Sequence, residues 1–208
     1  EFFTSRTTGA PFFAIIIFAL VYLITFRGPL TVKKFNMIGV PAILAVMIGL
    51  MCLLLFGQGI DNIFALSPAE PYDSTLRSFT TALELNIGLG FSWLPYLGQY
   101  SRLAKTEKIG YKAGFLSYGV ILNIAVILGA LCALVVASLD PTDWMTAIGG
   151  TWVGVIGLIL LTLGNMTAGT FLMYSQAISF KTVFPRAPWW TAMATALPTV
   201  LLLLSSSF

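Results

Sequence analysis

Thr80-Thr81-Ala82-Leu83-Glu84-Leu85-Asn86-Ile87-Gly88-Leu89-Gly90-Phe91-Ser92-Trp93-Leu94-Pro95-Tyr96-Leu97-Gly98-Gln99-Tyr100-Ser101-Arg102 is apolar enough to enter a bilayer, yet it is studded with helix breakers. Gly88, Gly90 and Gly98 each weaken a helix by roughly 1 kcal/mol, and Pro95 removes a backbone donor and clashes with the preceding turn. A carboxylate, Glu84, sits on the entry side. The pattern predicts a helix interrupted at membrane depth. Such a break leaves backbone groups unpaired, which is tolerated only against protein or a water-filled cavity. Secondary transporters place substrates and ions at breaks of this kind. A membrane helix with a plain proline kink is the alternative.

Composition points to the membrane for the whole chain. Of its 208 residues, 58% are hydrophobic and 9% charged, and the mean hydropathy is +0.92. An ordinary soluble domain carries about a quarter charged residues. The chain has no histidine, which disfavours metal chemistry and imidazole acid–base catalysis. Cys52 and Cys132 lie deep in apolar runs and read as buried free thiols. The chain opens on Glu1, shows no leader pattern, and ends inside an apolar run, so an excerpt of a longer polypeptide is expected.

Six apolar segments follow, at about 10–26, 35–56, 78–100, 113–137, 149–180 and from Trp189 onward. Each approaches or exceeds the roughly 20 residues a helix needs to span the hydrocarbon. The fifth is long enough to tilt or to contain a break. The loops at about 27–34, 101–112 and 181–188 carry an excess of lysine and arginine; those at about 57–77 and 138–148 are acidic. Basic loops face the cytoplasm. The regular alternation supports the count of six, and residues 1–208 read as a single transmembrane domain fragment, with 57–77 an external loop. Lys105 to Lys112 reads as a topogenic anchor near anionic lipid. Trp144, Trp152, Trp189 and Trp190 fall near span ends, as interfacial anchors do, whereas Trp93 lies inside the third segment. Small residues on the fourth segment (Gly114, Gly119, Ala125, Gly129, Ala130) predict close helix packing. Basic residues are spread over three loops, so no nucleic-acid partner is expected.

No hydrolase or transferase constellation is present, and an enzyme is not expected. Glu84 is the one ionisable residue clearly inside a span. It reads either as a coupling or substrate group or as a vestibule residue paired with Arg77. A second polar locus, Gly164-Asn165-Met166-Thr167-Ala168-Gly169-Thr170, offers side-chain oxygens and glycines that permit local unwinding. Hydroxyls with freed carbonyls suit a small hard cation; helix–helix hydrogen bonding is the competing reading.

The run Phe91 to Lys105, with its Ser92-Trp93-Leu94-Pro95 and Tyr100-Ser101-Arg102, resembles the sixth helix of the nucleobase:cation symporter-1 family. Leu163 to Tyr174, followed by Phe184-Pro185 and Trp189-Trp190, is similar to its eighth helix and the turn after it, and Gly39-Val40-Pro41-Ala42 to its fifth. The resemblance covers essentially the whole chain, in order. It implies an all-α integral membrane protein with the LeuT-type inverted repeat. The chain would correspond to helices four to nine of twelve, with the third of its six segments broken. The partners implied are a nucleobase-like heterocyclic solute, membrane lipid and the remaining helices of the same transporter, in the cytoplasmic membrane.

The resemblance implies substrate contacts at Gly88, Gly90, Phe91, Ser92 and Trp93, with Phe91 stacking on the flat ring. Asn165 and Thr170 would orient the solute or the ion, and Gly164 and Thr167 would ligate sodium. Ala168 stands where sodium-coupled members carry a hydroxyl, which favours proton coupling or no tight cation site, and Gln99 replaces the usual aspartate. No other cofactor is implied. An amino-acid symporter of another LeuT-fold family and a non-transporting helical scaffold are the rival readings.

Overall fold

The computed structural model describes residues 9–67, 72–101 and 104–203, and among these the regular structure is entirely helical. Glu70, which contributes to the acidic charge of the loop 57–77, and Arg102 of the motif lie outside the described residues. Helix α1 (Gly9–Phe26) stops before Gly28, which takes a φ of 93°, and Pro29 opens α2 (Pro29–Gly57). Glycine accepts the positive φ without strain, and proline at the first helical position lacks only a donor that would be unpaired there anyway. Helix α3 (Ile60–Ala65) follows Gly59, at φ 77°, within the expected external loop. Ser74 Oγ accepts from Arg77 N at 3.2 Å and caps α4 (Thr75–Ser101). Thr106 caps α5 (Glu107–Gly114) in the same way through Ile109 N at 3.3 Å. A π-helical segment, Phe115–Ile121, runs directly into α6 (Leu122–Val136). Asp140 Oδ1 accepts from Thr142 N at 2.8 Å where α7 (Pro141–Val183) begins. Two short helices, α8 (Trp189–Ala194) and α9 (Thr199–Leu203), follow.

Among the described residues three helices are long and apolar enough to cross a membrane: Pro29–Gly57, Glu107–Val136 and Pro141–Val183; a shorter apolar helix covers Pro11–Phe26. Against the six expected spans, α4 is long enough at 27 residues but too polar, and the described part of the sixth segment is divided between α8 and α9.

The expected break in the third segment is corrected. Helix α4 runs continuously through Gly88, Gly90, Pro95 and Gly98, and none of these glycines takes a positive φ. A glycine permits a break without requiring one, and a single proline costs a helix one hydrogen bond rather than its continuity. The discontinuity lies in α7 at Gly150, with φ 68° and ψ −175°. That backbone region is open essentially to glycine alone. The unwinding expected at Gly164–Thr170 is likewise absent, because the helical dihedrals of α7 are interrupted only at Gly150.

The described residues divide into two compact units, one through Ala45 and from Ile159 onward, the other Val46–Leu158, with the divisions falling inside α2 and α7. In the first unit Val21, Met166, Met173, Ala177, Ala192 and Met193 form a buried core. Small residues bring α2 and α1 against α7. A methyl added at Gly39 would run into the Thr167 side chain and lie 3.2 Å from Leu163 O; one at Gly164 would lie 2.8 Å from Ile43. One at Gly169 would meet Val21 at 3.4 Å. In the second unit the chain doubles back at Gly150. A methyl at Gly154 would meet Met145 O at 3.0 Å, and one at Gly157 would meet Met145 Sδ at 2.7 Å. The expected packing role of the fourth segment's glycines is seen at Gly114, against Leu97, and at Gly129, against Trp144. Cys132 is buried as expected, whereas Cys52 is exposed, because it lies on a face of α2 that no other described element covers.

Candidate functional site

The substrate contacts expected on α4 lie on a helix with no buried residue. Phe91 is 71% exposed, so its ring face is open. Ser92 Oγ donates to Leu89 O at 2.8 Å, a bond back into its own helix. Trp93 is half-buried, its ring 5.4 Å from that of Tyr96. Nothing lies within 4 Å of a methyl placed at Gly88 or Gly90. Glu84 is exposed and has no ion-pair partner among the described residues. Arg77, its alternative partner, instead meets Asp73 Oδ2 at 3.0 Å and covers the Tyr72 ring.

Gly90 borders a cavity of about 320 Å³ between α4 and the helical run that starts in the π segment. Its apolar lining includes Leu89, Leu94, Leu122 and Val126. Its polar lining is Asn86, Tyr118 and Asn123, and no charged residue contributes. Asn86 Nδ2 donates to Ala82 O at 2.8 Å. Asn123 Nδ2 donates to Tyr118 O at 3.2 Å and Gly119 O at 3.1 Å, bracing the π segment. Both amides use their N–H groups on backbone carbonyls, which leaves carbonyl oxygens to accept. Of the contacts expected from sequence, only Gly90 borders this cavity; Asn86, Tyr118 and Asn123 were missed. One signal was available: Asn123 is the only amide between Ala113 and Ala137. π-Helical insertions also recur at functional sites, but the sequence does not mark this one.

The second expected locus belongs to the first unit. Thr167 is buried, and its Oγ1 donates to Leu163 O at 3.0 Å while pressing on Gly39. Thr170 is fully buried; its Oγ1 donates to Thr167 O at 2.8 Å and lies 3.2 Å from Asn36 Oδ1 on α2. Asn165 and Ala168 are exposed, and Gly164 is buried against Ile43. The stretch therefore offers a cation two hydroxyls that are both already donating, together with carbonyls inside a regular helix. A hard cation takes six or more oxygens, and this set does not fit one. The geometry is that of a polar helix–helix contact. The two expected halves of the site fall in different units, Glu84 to Trp93 in one and Gly164 to Thr170 in the other.

Comparison with protein-family models, curated proteins and solved structures returns no match to this chain.

Proposed function

We propose that the chain is a portion of a secondary active transporter that imports a nucleobase-like heterocyclic solute across the cytoplasmic membrane together with a cation. One observation carries the reading: the uncharged cavity beside Gly90, walled by leucines and furnished with two amides and a phenol. Small-molecule sites are concave, mostly apolar, and oriented by a few polar groups, with volumes from about 300 Å³ upward. The oxygens of Asn86 and Asn123 would accept from ring N–H groups, and the Tyr118 hydroxyl would donate to a ring carbonyl. A zwitterionic amino acid is disfavoured, because burying its charges without partners is costly. Phe91, expected from sequence to stack on the ring, does not border this cavity.

Uptake of a labelled base by cells expressing the full-length protein tests this. Tyr118→Phe, which removes one oxygen, is expected to cut uptake about tenfold at unchanged membrane abundance, the cost of one unmet buried hydrogen bond. Phe91→Ala, outside the cavity lining, is expected to change uptake less than Tyr118→Phe. Competition by amino acids rather than bases would overturn the heterocycle assignment. Running uptake with a sodium gradient or a pH gradient alone identifies the coupling ion. The scaffold reading draws on Thr167 and Thr170, whose hydroxyls serve helix contacts. It predicts no thermal shift of the full-length protein with any base, amino acid or cation.

A further inference from the structure

Where α7 ends, the chain turns through Phe184–Ala187 into α8 and forms an open groove of about 660 Å³. Phe180, Val183, Phe184 and Pro185 give it apolar walls, and Arg186 and Thr191 add polar groups. Lys181 Nζ donates to Pro185 O at 2.7 Å and also to Ala187 O. The carbonyls on either side of Arg186 are thus tied to one ammonium group, which holds the turn carrying its guanidinium.

This end of the unit is basic without opposition. Trp189 Nε1 donates to Phe26 O at 3.0 Å, which brings the end of α1, and with it Arg27, to the α7–α8 turn. Helix α2 starts two residues later and carries Lys33 and Lys34 in its first turns. It runs antiparallel to α7, since Asn36 meets Thr170 whereas Ile43 meets Gly164. Arg27, Lys181 and Arg186 therefore gather at one end, and Lys33 and Lys34 follow in the next turns of α2. Residues 9–45 and 159–203 contain no aspartate or glutamate, and none of the five cations forms an ion pair among the described residues. The groove opens on the last turn of a helix apolar enough to cross a membrane, beside Val183 and Phe184, which are largely exposed.

From this juxtaposition we infer that the α7–α8 groove is a binding site for an anionic phospholipid, with the acyl chains along Phe180, Val183 and Phe184 and the phosphate on Arg186. Charge selects the headgroup and the apolar walls select a lipid over a soluble anion. The fixed turn lowers the ordering cost of the contact. The groove shares no residue with the cavity beside Gly90.

The test uses the purified full-length protein, with bound lipid counted by native mass spectrometry and stability followed by thermal unfolding. Phosphatidylglycerol is expected to bind at least tenfold more tightly than phosphatidylcholine, and to raise the unfolding midpoint. Arg186→Gln should weaken phosphatidylglycerol about fivefold, the value of one cation near an anionic surface, and leave phosphatidylcholine unchanged. Val183→Asp should abolish the preference by placing a carboxylate on the groove wall. Wild-type preference in both variants would overturn the site. So would an equal shift with glycerol phosphate at the same concentration, which marks a phosphate site without a lipid. A shift that follows protein concentration instead of lipid would assign the groove to a second copy of the chain.

Discussion

At Gly39 two helices meet with no room for a side chain. The nearest obstacle to an added methyl is Thr167, whose hydroxyl is held by Leu163 O. Gly39→Ala is therefore expected to destabilise the purified protein by about 1–3 kcal/mol, the usual cost of overpacking. Thr167→Ala in the same chain should recover part of that loss, since it removes the hydroxyl nearest to the new methyl. Strictly additive effects in thermal unfolding would show that the two positions do not touch. The polar side chains of 164–170 were legible in the sequence, but their use was not. Thr167 and Thr170 are three apart and share a buried face, whereas Asn165 is exposed. Helical spacing alone groups them this way. Which face meets α2 depends on Gly39 and Asn36, more than a hundred residues away in the chain.

At the scale of elements, the glycines of α4 and of α7 make opposite predictions. Gly88 and Gly98 sit in regular helix with nothing within 4 Å of an added methyl. Changing either to alanine should stabilise the protein by about 0.5–1 kcal/mol, because alanine loses less backbone entropy in a helix. Gly150, at φ 68° and ψ −175°, holds a conformation alanine resists. Gly150→Ala should cost about 1–3 kcal/mol. Melting temperatures of the three variants decide the matter: destabilisation by Gly88→Ala would restore the broken third segment. Segment positions were legible, as α1, α2, α4 and the run Glu107–Val136 each overlap the apolar stretch read for them. The site of the break was not. Both α4 and α7 contain glycines in apolar runs, and helix-breaking tendency alone favours α4, which also carries Pro95.

For the whole molecule, the proposed topology puts basic loops on the cytoplasmic side. In a Cys52→Ser background, needed because Cys52 is exposed, a cysteine at Lys34 or Arg186 should react with an impermeant maleimide only after cells are permeabilised. One at Asp73 or Asp143 should react in intact cells. Labelling of Lys34 and Asp73 positions from the same side would break the alternation. Within the first unit, the Trp189–Phe26 hydrogen bond brings Arg27 and Arg186 to one end.

The sequence by itself determined that this chain is helical, apolar and charged mainly in its connections, because hydropathy and charge act residue by residue. It also marked Gly90 within the stretch from Thr80 to Arg102. Only the tertiary structure decided that this stretch stays helical as far as Ser101, that the chain folds back at Gly150 instead, and that Gly90 borders a cavity with Asn86, Tyr118 and Asn123. The physical reason is that a glycine lowers the cost of a break without supplying a contact that rewards it. At Gly150 the reversal is met by Met145 packed against Gly154 and Gly157, whereas Gly88, Gly90 and Gly98 have open space around them.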